Sequence, residues 1–190
     1  MRTEVEFELP ASQYALMGYP RLTQGQPLSV ILDAGILLPD PAANYWFAVQ
    51  KEPLPHRFLR VGRGLYAFTG QIEEADIVKE AGMETATLLV RAENVWLRVA
   101  CAPQEDGRLP YGTWETRTLT GLAPLQGIVE DDFTTSIGRP VGLTIWRFRR
   151  LLLTPGDVRF GEWHESAELP DSPYQFDRML LEGRLHWEHL

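Results

Sequence analysis

Apolar residues recur mainly at every second position of this chain, and this alternation is what most constrains the fold. Residues 3–9 place three apolar side chains on one face of an extended backbone and three glutamates on the other: Val5, Phe7 and Leu9 against Glu4, Glu6 and Glu8. Successive side chains of a β-strand point to opposite faces, so the pattern predicts a half-buried strand. The same kind of pattern predicts strands at 28–32, 45–49, 57–61, 65–69, 85–91, 95–101, 114–122, 125–130, 141–153, 157–163 and 183–187.

The middle of the chain contains the clearest hairpin signal. Two alternating runs, 85–91 and 95–101, flank the short polar turn 92–94. The second run has an apolar face and a mixed face: Val95, Leu97, Val99 and Cys101 against Trp96 and Arg98. A tight connection is predicted at 62–64, and the runs 114–122 and 125–130 are predicted to be separate strands joined through 123–124.

Helical patterns are few. Residues 71–81 carry Ile72, Ala75 and Val78 at helical spacing, and Gly82 follows in a position typical of a helix C-terminal cap. A second short helix is predicted near 175–181.

Many short strands interrupted by 16 Gly and 14 Pro predict an all-β or β-dominated fold. We expect a single-domain antiparallel barrel or barrel-like sandwich over residues 1–190, with one or two short helices. The segment 57–130 has a strand count and glycine placement like those of an oligonucleotide-binding (OB-like) barrel. The acidic C-terminal segment 161–190 is expected to pack on the core through its aromatic and leucine side chains.

Charge and cysteine content narrow the function classes. The net charge of −8 disfavours a protein that binds nucleic acid by general phosphate neutralisation. A single cysteine, Cys101, allows no intrachain disulfide and lies on an apolar strand face, where a thiol is a small buried hydrophobe. The first ten residues lack the pattern of a secretory signal, and no apolar run approaches the length of a membrane span. These features predict a cytoplasmic protein.

The most distinctive local pattern lies at 138–153. On an alternating strand, Arg147 and Arg149 share one face while Trp146 and Phe148 share the other. The candidate ligand-binding residues are accordingly Arg147, Arg149 and Trp146, together with Trp96 and Arg98 of the hairpin. The alternative is structural: an aromatic core face, with the arginines either in solvent or paired with acids. Those acids could belong to a partner or to this chain: Glu162, Glu165, Glu168 and Asp171.

Other chemically suggestive groups have ordinary explanations. His186 and Glu188 would share a strand face, where His164 or Glu165 could complete a metal site. The spacing matches no zinc motif, however, and solvated histidines are favoured. The acidic run 130–132 is more typical of a solvated turn than of a metal site. The sequence contains no phosphate-binding glycine motif and no nucleophile elbow, so no cofactor is expected.

Three functions therefore remain open. The favoured one is a non-catalytic binding or assembly module that uses a sheet face or barrel mouth, with a protein partner or a second copy. The alternatives are an OB-like single-stranded nucleic-acid-binding protein and a metal-assisted hydrolase.

Overall fold

The computed structural model describes residues 4–10, 13, 22–35, 47–101, 106–109, 118–129, 137–169 and 177–186. Within those ranges the named elements are eleven strands. They are β1 (Glu4–Glu8), β2 (Pro27–Ala34), β3 (Phe47–Gln50), β4 (Arg57–Gly62), β5 (Leu65–Glu80), β6 (Met83–Ala92), β7 (Val95–Cys101), β8 (Thr118–Ile128), β9 (Val141–Leu151), β10 (Trp163–Ser166) and β11 (Arg178–Leu185).

The strands close on themselves. Neighbours follow the order β10-β9-β11-β1-β8-β2-β7-β6-β5-β4, with β3 beside β8, and the extra pairings β9–β2 and β8–β5 join distant parts of this path. The result is a closed, mixed barrel of eight strands, to which β3, β4 and β10 add as outer strands. The predicted β-dominated barrel is confirmed.

The strand directions differ from the expected antiparallel arrangement. β1 pairs with β8 and β2 pairs with β7 in parallel, while the other ladders are antiparallel. Alternation along a strand sets which side chains face the core, but it carries no information about the direction of the neighbouring strand.

Both helix predictions were wrong where the structure describes the residues. The segment 71–80 is the second half of β5, and Ala81 and Gly82 form a two-residue turn into β6 with φ of 50° and 82°. Paired positive φ angles are typical of a β-hairpin turn, so the glycine that suggested a helix cap is a hairpin glycine. Residues 178–181 belong to β11, and 175–176 lie outside the described residues.

Two strand boundaries also differ. β8 runs without a break through Ala123 and Pro124, which pair with Tyr66 and Leu65 of β5. Residues 158–161 form turns and not a strand, because Asp157 accepts the N–H of Arg159 and its own carbonyl accepts the N–H of Phe160. Residues 45–46, 114–117 and 130 of the other predicted strands lie outside the described part of the chain, as does Trp187.

Apolar side chains from all eight wall strands fill the barrel interior. The largest are Phe7, Tyr66, Phe68 and Phe148, each 1% exposed or less, and full burial of such a side chain contributes about 1.5–3 kcal/mol. The predicted apolar face of β7 is buried as expected, including Cys101, whose thiol pKa is raised by burial to about 12.

The OB-like segment does not close by itself among the described strands. The ring containing β5, β6, β7 and β8 is completed by β2, which lies before residue 57 and pairs with both β7 and β8. At the other end of the chain, β11 lies between β1 and β9, so part of the acidic C-terminal segment is a wall strand. No helix within the described ranges is long and apolar enough to cross a membrane.

Candidate functional site

Two buried glutamates lie side by side on the outer face of the barrel wall. Glu6 of β1 is the direct cross-strand partner of Glu182 of β11, and their residues are 0% and 3% exposed. Their strand neighbours Val5, Phe7 and Leu181 point into the core. Alternation therefore directs both carboxylates away from the interior, as predicted for Glu6, but a further layer of the protein covers them.

The cover is formed by the outer strand β4 and by the turn that joins β4 to the wall strand β5. Gly64 lies in the turn between β4 and β5, and its N–H donates to Glu6 Oε1 at 2.8 Å. The N–H of Leu125 donates to the Gly64 carbonyl at 2.8 Å. Gly64 has a φ of 62°, which glycine adopts without strain. The Glu6 N–H donates to the Tyr66 hydroxyl at 2.8 Å, and burial raises the pKa of that tyrosine to about 12.

Three arginines surround the two carboxylates. Arg60, on β4, lies 2.6 Å from Glu6 Oε1 and 3.0 Å from Glu182 Oε1. Arg147 Nε donates to Glu182 Oε2 at 2.5 Å, and Arg149 Nη1 donates to Glu6 Oε2. Each buried carboxylate thus accepts charge-assisted hydrogen bonds from two arginines, which offsets both its desolvation and the repulsion between neighbouring like charges.

A third glutamate bridges two of these arginines from the solvent side. Glu165 of β10 is the register partner of Arg149 in β9, and its Oε1 lies 3.0 Å from Arg149 Nε and 3.2 Å from Arg147 Nη1. Its side chain is 57% exposed, against 13% for Arg149. The charged cluster comprises these six residues, three acids and three bases: Glu6, Glu165, Glu182, Arg60, Arg147 and Arg149.

The arginines of the cluster lower the pKa values of Glu165 and Glu182. The hydrogen bond from Arg149, with the charge of Arg147, lowers the pKa of Glu165. Burial alone would raise the pKa of Glu182, but the hydrogen bond from Arg147 and the charges of Arg147 and Arg149 outweigh it, so the pKa is lowered. Both carboxylates are therefore ionised at neutral pH, as a network of charge-assisted hydrogen bonds requires.

Arg147 and Arg149 share one face, as the alternation predicts, and both are engaged by carboxylates of the chain itself. Trp146 does not share a face with Phe148 in the way that was expected. The β9–β11 register shifts beside Trp146, because Glu182 pairs with Arg147 and Gly183 pairs with Ile145. This β-bulge leaves Phe148 in the core and turns Trp146 to the surface, where the guanidinium of Arg184 lies 3.6 Å from its ring.

The other two candidate ligand residues lie elsewhere. Arg98 of β7 makes a bidentate salt bridge to Asp33 of β2, at 2.5 and 2.9 Å, between paired strands. Trp96 is half-buried, and the guanidinium of Arg139 stacks 4.4 Å from its ring. Arg147 and Arg149 share the charged cluster, whereas Trp146, Trp96 and Arg98 each have other partners, so the five predicted ligand residues do not form one platform.

The two metal-site histidines that the structure describes, His164 and His186, are not brought together. His164 pairs with Arg150 in β9, whereas the His186 N–H donates to the Gly142 carbonyl. The two partners, Arg150 and Gly142, are eight residues apart on β9, which corresponds to roughly 25 Å at about 3.3 Å per residue. His186 Nε2 lies 2.6 Å from Thr144 Oγ1, while Glu188 and the acidic run 130–132 lie outside the described residues. Within the described part of the chain, no three or more His, Cys, Asp or Glu side chains are arranged so that they could hold a metal ion.

A second surface feature lies on the outer face of β4, β5 and β8. Leu59, Ala67 and Leu122 are directly opposite one another in register across these three strands. We call these three residues the apolar row. Leu59 and Leu122 are 44% and 43% exposed, and Val61, two positions after Leu59, is 50% exposed. Cross-strand neighbours on one face lie about 5 Å apart, so the row is continuous.

The roles of Arg60 and Glu182 and the burial of Glu6 were not predicted from the sequence. Glu182 did carry a signal, because it directly follows the apolar run 179–181, and a charge buried beside such a run is stable only if it is paired. The apolar row likewise depends on the register between β4, β5 and β8, which the sequence of a single strand does not reveal.

Comparison of the chain with models of protein families, with curated proteins and with solved structures gave no significant match.

Proposed function

We propose that this protein is a non-catalytic assembly module that binds a second copy of itself through the outer face and free edge of β4. The apolar row is the observation that carries the proposal. Isolated exposed apolar side chains are ordinary, but a contiguous set in register on three strands is typical of an interaction surface.

The position of the row beside an edge strand supports assembly. β4 ends the strand order, and among the described strands it pairs only with β5. Its outer edge therefore offers main-chain hydrogen-bonding groups to another strand. The Phe58 N–H already donates to the Glu93 carboxylate at 3.2 Å, so a side chain occupies part of the position that a paired strand would take.

A two-fold arrangement of two β4 strands fits the charge pattern. With the axis at Leu59, an antiparallel pair sets Leu59 against Leu59 and Arg57 against Val61 of the second copy. No arginine then lies directly opposite another arginine, whereas an axis at Arg60 would place the two Arg60 side chains together. Two-fold dimers are also the commonest closed assemblies.

The binding site is more consistent with an outer surface than with a barrel mouth, because apolar side chains from every wall strand fill the barrel interior. A nucleic-acid platform has less support, since Arg147, Arg149 and Arg98 are salt-bridged to carboxylates that a phosphate backbone would have to displace.

The test is the molar mass of the protein in solution, measured by light scattering over a range of concentrations. We expect wild type to reach the mass of a dimer and Leu59→Asp to shift it toward the monomer, because a charge would be buried at the centre of the interface. Val158→Asp is the matched control, since Val158 is 97% exposed in the turns 157–161 at the tip of the β9–β10 hairpin, separate from β4.

Removing the competing carboxylate gives the opposite expectation. Glu93→Ala should lower the dissociation constant of the dimer by freeing the Phe58 N–H. The proposal would be overturned if wild type stayed monomeric at its highest soluble concentration. It would also be overturned if Leu59→Asp and Val158→Asp had the same distribution of molar mass.

A further inference from the structure

Glu165 is the replaceable member of the charged cluster. The other five groups are three arginines and two buried glutamates, a formal charge of 3 − 2 = +1, and Glu165 brings the total to zero. Its carboxylate is largely solvent-exposed, whereas Glu6 and Glu182 are covered by the β4–β5 hairpin. Without Glu165, Arg149 Nε and Arg147 Nη1 would lose the carboxylate that accepts their hydrogen bonds and would face the surface.

Glu165 can leave this position without a change in the backbone. β10 is held to β9 by its own ladder, and the residues that follow are fixed by hydrogen bonds from Gln24 N–H to the Ala167 carbonyl and from Leu169 N–H to the Leu22 carbonyl. Leu169 is buried in the core. Rotation of one exposed side chain is therefore enough to open the two guanidinium groups.

We propose that Arg147 and Arg149 form a receptor for a single oxyanion of a ligand, a phosphate or a carboxylate group, and that Glu165 occupies the receptor when no ligand is bound. This site is separate from the apolar row and does not depend on the proposed assembly. Arg147 and Arg149 are held at fixed positions by Glu182 and Glu6, so the donors that bind the ligand are already oriented.

The ligand is a small anion rather than a polyanion. The protein carries a net charge of −8, and Glu162 lies three residues before Glu165 in the acidic C-terminal segment. A polyanion would meet this surrounding negative charge, whereas one phosphate offers several acceptor oxygens to two guanidinium groups.

Inorganic phosphate is the probe, with acetate as the carboxylate, each added at constant ionic strength while thermal unfolding is followed. We expect phosphate to raise the Tm of Glu165→Gln saturably, with half-saturation at about fivefold lower concentration than in wild type, because the internal competitor is gone. Glu162→Gln is the matched control, because Glu162 is similarly exposed, carries the same charge and contacts His164 instead of the arginines.

A further substitution assigns the effect to the arginines. In the Glu165→Gln background, Arg147→Lys should weaken phosphate binding, because it retains the charge and loses the guanidinium fork. Tighter half-saturation by phosphate than by acetate assigns a phosphate ligand, and the reverse assigns a carboxylate. The proposal would be overturned if phosphate and acetate shifted the Tm of Glu165→Gln no more than they shift the Tm of Glu162→Gln. This comparison does not require the double variant to fold.

Discussion

Glu6 and Glu182 are neighbours on paired strands, where two like charges would repel each other without the arginines around them. The alternation in β1 predicts that Glu6 faces away from the core, and it does. Its burial could not be predicted from β1, because the cover comes from Arg60 and Gly64, more than fifty residues later. The local sequence predicts which face of a strand a side chain lies on, whereas its burial depends on the segments that pack over that face.

The cluster makes stability depend on pH in a defined direction. The folded-state pKa of Glu182 is lowered, so this residue contributes stability above its unfolded pKa of about 4.3, and the contribution is lost as pH falls through the folded value. Glu182→Gln should therefore cost about 3 kcal/mol at pH 7, and the deficit should shrink below about pH 4.

Urea unfolding at several pH values measures this deficit. Glu4→Gln is the control, because Glu4 is exposed and its salt bridge with Arg184 at 3.3 Å should contribute little at any pH. A Glu182→Gln deficit that stays constant on acidification would contradict the assigned role of Glu182.

At the scale of elements, β5 shows why a long strand was divided into a strand and a helix. Its first half pairs with β4 and β8, and its second half pairs with β6. Gly70 lies at the change of partners, and a Cβ there would stand 2.6 Å from the Arg91 carbonyl oxygen. The distal half is largely exposed on both faces, so its apolar residues follow no clear alternation.

Gly70 is therefore required for the close approach of β5 and β6. Gly70→Ala should destabilise the protein by about 1–3 kcal/mol, because the contact is with backbone atoms that cannot rotate away. Gly142→Ala, also within a strand, is the matched control, since its nearest neighbour would be His186 Nδ1 at 3.5 Å. Equal unfolding free energies for the two variants would show that the approach is not tight.

At the scale of the whole molecule, closure depends on pairings between distant segments. β1 pairs with β11 from Glu4↔Arg184 to Glu8↔Leu180, and β2 contacts β7, β8 and β9 along eight residues. Periodicity predicted most strands, the β6–β7 hairpin and the barrel class, because these follow from local side-chain alternation and turn residues. The parallel pairs, the ring through β2, the charged cluster and the apolar row all depend on register between strands far apart in sequence.

Hydrogen exchange can test, strand by strand, the proposed binding of a second copy at the edge and outer face of β4. Amide exchange should be measured at low and high protein concentration across Arg57–Gly62, with the hairpin tip 157–161 as internal control. We expect slower exchange in β4 as the protein concentration rises, with no change at the tip. Exchange in β4 that is independent of concentration would contradict it.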